Sequence, residues 1–207
     1  STCRAQALVN QPLRIRHTND FEISGDGGNK AWESATWNNM MPSDNQPQKT
    51  RFKVLYSETG IYFLFHNEDE ILTATMTKDF DRLWLEDVNE VFLWTDTTST
   101  IYFEYEISPL NYELSILVPN FDGKFLGWLP WEYEGPRRTK HETWIEGGVK
   151  KSGSKIKSWY AEFFIPLIVT GMIQEHKGKV KVLGGGNIWF GVTYQEDKEA
   201  VSQKIKE

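Results

Sequence analysis

Glutamates at alternating positions beside flat aromatic side chains are the residues of this chain best placed to do chemistry. In the run Ile101-Tyr102-Phe103-Glu104-Tyr105-Glu106-Ile107, successive side chains of an extended strand point to opposite faces. Ile101, Phe103, Tyr105 and Ile107 then make an apolar face for a core, while Tyr102, Glu104, Glu106 and Ser108 make the other. The preceding run, 88–94, sets Val91 and Leu93 on one face and Glu90, Phe92 and Trp94 on the opposite one. A symmetric hairpin register places Trp94 by Tyr102, Phe92 by Glu104, and Glu90 by Glu106, although loop length fixes such a register only loosely. In that register two like charges sit side by side, and a cation, an arginine or ligand hydroxyls must offset the repulsion. The pattern suits a polyhydroxylated ligand. An aromatic ring covers the apolar C–H face of a pyranose while carboxylate oxygens accept its hydroxyl protons. The competing reading is a solvated outer face whose glutamates lie apart in water.

Other residues offer weaker chemistry. The stretch Gly127-Trp128-Leu129-Pro130-Trp131-Glu132-Tyr133-Glu134-Gly135 is rich in aromatics. Trp128, Trp131 or Tyr133 could stack on a ligand or close over the core, and the usual burial of large aromatics favours the core. Arg137, Arg138 and His141 follow and could pair with nearby glutamates. Asp20, Glu22, Asp26 and Asn29 form an oxygen-rich set that calcium could use, without the spacing of an EF-hand loop; a polar turn is the alternative. For hydrolysis, two carboxyl groups should stand about 5–9.5 Å apart across a glycosidic bond. Glu104 and Glu106 would instead lie side by side, and Glu90 with Glu106 is the better candidate pair. His17, His66, His141 and His176 lack zinc-ligand spacing, and no nucleophile elbow or phosphate loop is present. A binding role is therefore expected ahead of an enzymatic one.

These residues need strands to hold them, and strand signals are frequent. Runs 51–56 and 61–66 flank Ser57-Glu58-Thr59-Gly60 and predict a hairpin. A second hairpin is predicted from 88–94 and 101–107 around Asp96-Thr97-Thr98-Ser99, with 113–118 as a further strand. Runs 143–149 and 156–165 flank a loop of lysine, glycine and serine, and 188–194 follows Gly184-Gly185-Gly186 as the last strand. Residues 166–173 could form a turn or two of helix, and 196–207 a frayed helix or disordered tail. Short strands joined by turns predict an all-β antiparallel sandwich of jelly-roll type. One domain over 1–207 suffices, with 1–12 and 196–207 flexible.

Composition narrows the partners. Nine tryptophans and 14% aromatic residues mark a folded globule. A net charge of -6 repels a polyanion, and glycine and serine break up the cluster of Lys150, Lys151, Lys155 and Lys157, so nucleic acid is excluded as a partner. No apolar run approaches the ~18 residues of a transmembrane segment. Cys3 is the only cysteine, which excludes an internal disulfide and a multi-thiolate zinc site. Ser1-Thr2-Cys3-Arg4-Ala5-Gln6-Ala7 reads faintly like the tail of an export signal, with Cys3 as a possible lipid-attachment point or Ala5-Gln6-Ala7 as a cleavage site; an incidental cysteine in a loose terminus is the alternative.

Several segments together resemble the family 9 carbohydrate-binding modules and their relatives. Trp84-Leu85-Glu86-Asp87-Val88-Asn89-Glu90-Val91-Phe92-Leu93 is similar to the family's central motif of tryptophan, acidic stretch and Val-Glu-x-Phe-Leu. Ile23-Ser24-Gly25-Asp26-Gly27-Gly28 with Trp32 and Ala35 resembles its opening. The 52–65 hairpin, the strand from Tyr102 to Pro109, Trp159 to Pro166 and Trp189 resemble later family segments in the same order. The resemblance implies a β-sandwich that grips sugars between two tryptophans, with structural calcium, and a periplasmic, cell-surface or secreted location. It implies Trp84 as a stacking tryptophan, Glu90 as the hydroxyl acceptor and Asp87 as the acidic residue between them. The family's arginine and asparagine fall at Glu106 and Ser108, and its second stacking tryptophan has no counterpart after the 188–194 strand. Distant sandwich relatives hold haem through methionine with histidine or lysine. Met40, Met41, Met76 and Met172 with His66 are the residues available for that, although no Cys-x-x-Cys-His is present.

The expected site is therefore Trp84, Asp87, Glu90, Glu104, Glu106 and Ser108, with Trp128 and Trp131 as further stacking candidates. Asp20, Glu22 and Asp26 are the candidate calcium ligands. No cofactor is required, carbohydrate is the expected partner, and glycoside hydrolysis and haem binding are the alternatives.

Overall fold

The computed structural model describes residues 13–40, 49–93, 100–121, 124–131 and 134–167. Their strands are β1 (Arg16–His17), β2 (Asn38–Asn39), β3 (Thr50–Tyr56), β4 (Gly60–Glu68), β5 (Asn89–Leu93), β6 (Ile101–Ile107), β7 (Glu113–Phe121), β8 (Lys124–Phe125), β9 (Leu129–Pro130), β10 (Lys140–Glu146) and β11 (Ser158–Pro166). They make two sheets. One runs β1-β3-β4-β11-β10 with β2 beside β3, and the other runs β5-β6-β7-β8 with β9 beside β7. All pairings are antiparallel except the short contact of β1 with β3. This is the all-β sandwich expected from the alternating runs.

The alternation also explains the core between the sheets. Phe63 and Phe65 on β4 and Phe163 on β11 point inward, with Phe163 stacked at 5.1 Å from Phe63 and 5.9 Å from Phe65. From the second sheet Tyr105 meets Phe163 at 4.8 Å. Phe103, Tyr105 and Ile107 lie in this core as expected, whereas Ile101, the first residue of β6, is exposed. A buried polar contact joins the two sheets inside the apolar layer. The side-chain amides of Asn67 on β4 and Asn89 on β5 exchange hydrogen bonds of 2.8 and 3.0 Å, both residues buried. Buried amides need partners, and this reciprocal pair fixes the start of β5 against the opposite sheet.

Each sheet is also covered on its outer face by chain that is not strand. Over the larger sheet, Phe21, Ile23 and Trp32 pack on Leu55, Tyr62, Leu64 and Phe164. The pin of that cover is Glu162, fully buried at 0% exposure. Its carboxylate accepts the indole N–H of Trp32 at 2.7 Å and the backbone N–H groups of Gly25 at 2.7 Å and Ser24 at 2.9 Å. Gly25 has φ +87°, and an added Cβ would come within 2.8 Å of Glu142, so both the conformation and the space call for glycine. Two of the segments that resemble the family's, Ile23 to Gly28 with Trp32 and Trp159 to Pro166, thus meet in one contact.

Strand limits differ modestly from the sequence reading. β10 begins at Lys140 and stops at Glu146, because Gly147 adopts φ +81° and turns the chain out of the sheet. The runs 188–194 and 196–207 lie outside the described residues, as do 168–173 of the expected short helix.

Candidate functional site

The outer face of the smaller sheet gathers the acidic residues. Antiparallel pairing sets Glu90 opposite Glu106 and Phe92 opposite Glu104, as the symmetric register predicts; Trp94 lies outside the described residues. On the other side of β6, Glu106 faces Leu114, Glu104 faces Ile116 and Tyr102 faces Val118. All three β7 residues are buried, and with Leu83 they form an apolar cluster against which Met76, Trp84, Val88, Tyr102 and Tyr112 pack. The glutamates therefore stand in an apolar frame.

That frame is completed by residues 72–88, which cross the sheet without forming a strand. Acidic side chains tie this segment to itself. Asp87 accepts the N–H of Thr73 at 2.6 Å and donates its own N–H to the Thr73 carbonyl at 2.9 Å. Glu86 accepts the hydroxyl and N–H of Thr75 and, at 3.2 Å, the N–H of Met76. The short 3-10 turn Leu83–Leu85 results, with Leu83 buried under it and Trp84 half-buried at the edge of the site.

The three carboxyl groups converge. One oxygen each from Glu90, Glu104 and Glu106 lies within 4.8 Å of the others. Glu106 is 0% and Glu104 4% exposed, while Glu90 is half-buried at the mouth. Among the described residues no lysine, arginine or histidine forms an ion pair with any of them. Burial pushes the Glu90 pKa up to about 7, and the neighbouring Glu104 charge adds to it. Burial likewise drives Glu104 upward, and it drives Glu106 upward together with the charges of Glu90 and Glu104. The Trp84 backbone N–H approaches Glu106 and acts in the opposite sense, but neither carboxyl oxygen of Glu106 makes a well-formed hydrogen bond among the described residues. The same surroundings raise the Tyr102 hydroxyl, first through burial and then through Glu104 and Glu90.

The remaining expected residues are distributed as follows. Asp87 serves as the staple just described, and its carboxyl is pushed upward by burial, with Asp69 nearby adding to this. Ser108 is buried in the β6–β7 turn, where its hydroxyl accepts the N–H of Tyr112 at 3.3 Å. Trp131 packs against Phe103 and the core between the sheets, away from the acidic face. Trp128 is 38% exposed in the loop between β8 and β9. Tyr133 lies outside the described residues. Asp20, Glu22 and Asp26 are not brought together. Asp20 accepts from Thr59 and Tyr62, Asp26 from Ser24 and Gly28, and Glu22 faces Lys140. His66 receives the Arg51 N–H and packs on Tyr160 over the larger sheet, whereas Met76 lies over the smaller one, so these two cannot share a haem iron.

One exposed aromatic was on the expected face but not among the expected site residues. Phe92 is 44% exposed two positions beyond Glu90, and its ring centroid lies 6.0 Å from that of Tyr102. Strand alternation places it beside the glutamates, and its exposure leaves its ring accessible on the same face. The face thus carries a partly buried tryptophan, an exposed phenyl ring and one partly accessible carboxyl group, with two more acids behind it.

Residues 23–117 match the family model described as Carbohydrate family 9 binding domain-like. No curated protein matches the chain in sequence. Among solved structures, a candidate carbohydrate-binding protein from Bacteroides uniformis ATCC 8492 superimposes with a TM-score of 0.62 at 12% identity, over 80% of this chain and 76% of that one. A family 9 carbohydrate-binding module from Caldicellulosiruptor kristjanssonii, in complex with cellotriose, gives a TM-score of 0.51 at 16% identity, over 74% of this chain and 67% of that one. The family match runs from before β2 into β7 and includes the acidic face, and the fold likeness extends over most of the chain. In sequence over 23–117, and in fold, this chain is therefore similar to the family 9 carbohydrate-binding domains.

Proposed function

We propose that the outer face of the smaller sheet binds carbohydrate without cleaving it. The observation that carries this reading is the placement of the partly buried Trp84 and the exposed Phe92 on the same face as the half-buried Glu90. A pyranose ring lies against the aromatic surface, and Glu90 accepts a hydroxyl hydrogen bond at the mouth. Glu104 and Glu106 act from behind, because their burial keeps them from the ligand itself. The family likeness and the cellotriose held by one similar module support a β-glucan oligosaccharide as the first ligand to try. Such a role places the protein outside the cytoplasm, where polysaccharide is met.

Hydrolysis suits this arrangement less well. A glycosidase sets two reachable carboxyl groups on either side of the bond, about 5–9.5 Å apart. Here two of the three converging acids are buried.

A glycan array followed by titration calorimetry tests the reading. Cello-oligosaccharides bind the parent chain, and Trp84→Ala weakens binding at least about tenfold, the loss of one stacking contact worth ~1.4 kcal/mol. The thermal midpoint is followed alongside, since Trp84 also packs on the Leu83 cluster. Equal binding by parent and variant removes Trp84 from the site. Release of shorter sugars during long incubation would make the protein an enzyme instead.

A further inference from the structure

We propose that Glu90, Glu104 and Glu106 form a binding site for one divalent cation of the calcium class. The site goes beyond the sugar reading and does not rest on it. Its first support is geometric: three carboxyl groups from two adjacent strands each turn one oxygen toward a common point, all within 4.8 Å of one another. Calcium–oxygen bonds of about 2.3–2.6 Å place ligand oxygens up to roughly 5.2 Å apart, so three oxygens within 4.8 Å of one another can share one ion. Magnesium dehydrates reluctantly and is less suited to a set made mainly of buried protein carboxylates. All three donors are carboxylates, with no nitrogen or sulfur, which selects a hard cation over zinc or copper.

The second support is independent of the clustering. Glu106 is fully buried, and both its oxygens lack a hydrogen-bond partner among the described residues. A buried polar atom without a partner is costly, and a buried charge more so. Protonation would remove the charge and leave unmatched oxygens. A proton shared between Glu104 and Glu106 would answer one oxygen of each, leaving the other Glu106 oxygen and Glu90 as they are. A cation answers the charge and the bare oxygens together. Glu90, at the mouth, leaves the outward side of the ion open, where water or a ligand hydroxyl completes the coordination.

The test uses the full chain stripped with a chelator and titrated with CaCl2 by calorimetry, with no sugar present. Terbium luminescence excited through tryptophan, with Trp84 bordering the site, gives a second readout. One calcium ion binds per chain, and the thermal midpoint rises when about 1 mM calcium is added, within the range of weak extracellular sites. Glu106→Gln weakens binding at least tenfold and abolishes the midpoint shift, whereas Asp26→Asn changes neither. Circular dichroism confirms that the variants fold, and Glu90→Gln, at the half-exposed mouth, gives the same loss of binding should Glu106→Gln fail to fold. Absence of both heat and midpoint shift in the parent chain overturns the proposal, as does undiminished binding by a folded Glu106→Gln. Loss confined to Asp26→Asn would move the ion to the N-terminal loop. Sugar binding, measured separately with cello-oligosaccharides, can fail or succeed without altering any of these outcomes.

Discussion

A carboxyl group in an apolar frame holds its proton more tightly than it does in the unfolded chain, and this makes stability depend on pH. For Glu90 the pKa moves from the model-compound value of 4.5 to about 7, with Glu104 and Glu106 shifted in the same direction. Below pH 4.5 these groups are protonated in both states and cost the fold nothing. As pH rises through about 7, the unfolded chain has already released protons that the folded chain still holds, so stability falls. Other groups act oppositely. Hydrogen bonds from Ser57 and Thr59 lower Asp20, and those from Ser24 and Gly28 lower Asp26, so their contributions are lost on acidification. Calcium-free protein should therefore melt at a higher temperature at pH 5.5 than at pH 8, and Glu106→Gln should shrink that difference. Scanning calorimetry in chelator checks this; a midpoint that rises steadily from pH 5.5 to 8 would contradict it.

At the scale of elements, the irregular segments matter as much as the strands they cover. Glu162 joins β11 to the N-terminal cover by accepting from Trp32, Gly25 and Ser24 at once. Glu162→Gln keeps the shape but turns an N–H donor toward donors, and should cost about 2–4 kcal/mol in urea unfolding, consistent with the penalty for breaking hydrogen bonds to a buried charge. A loss under 0.5 kcal/mol would mean that the cover is not held by this contact. Sequence alone reveals the strands readily. Alternation of Phe103, Tyr105 and Ile107 with Glu104 and Glu106 identifies the faces, and the symmetric hairpin brings Glu90 to Glu106 and Phe92 to Glu104. It does not reveal that Glu104 and Glu106 are buried. Their cover, residues 72–88, has no periodic pattern, and its path is set by hydrogen bonds of Glu86 and Asp87 to a stretch ten to fourteen residues upstream. The Asn67–Asn89 bridge is hidden for the same reason, since it depends on a partner from a distant strand, whereas the packing of Trp131 on the core is what the usual burial of large aromatics favours.

For the molecule as a whole, net charge and the acidic face act together on partner choice. With a net charge of -6, the chain as a whole repels anionic polymers. On the proposed reading a neutral oligosaccharide would be held by stacking and hydrogen bonds, which salt screens little. Its affinity should change less than about twofold between 50 and 500 mM NaCl, a range over which the Debye length falls from roughly 14 to 4 Å. An anionic polysaccharide should bind worse at the lower salt. Calorimetry at both salt concentrations measures this, and a steep fall in affinity for the neutral sugar would point to a charged ligand. The pairing of β4 with β11 has a kinetic consequence. Gly60 lies opposite Pro166 and Glu68 opposite Ser158, so the central seam of the larger sheet zips together strands about ninety or more positions apart in sequence. Loop closure of that length must precede the reward of pairing, which makes this a slow-folding topology of the millisecond-to-second class. On the ribosome, the β4 edge with Phe63 and Phe65 has to wait for β11 to emerge, and in that interval the nascent chain is most open to aggregation.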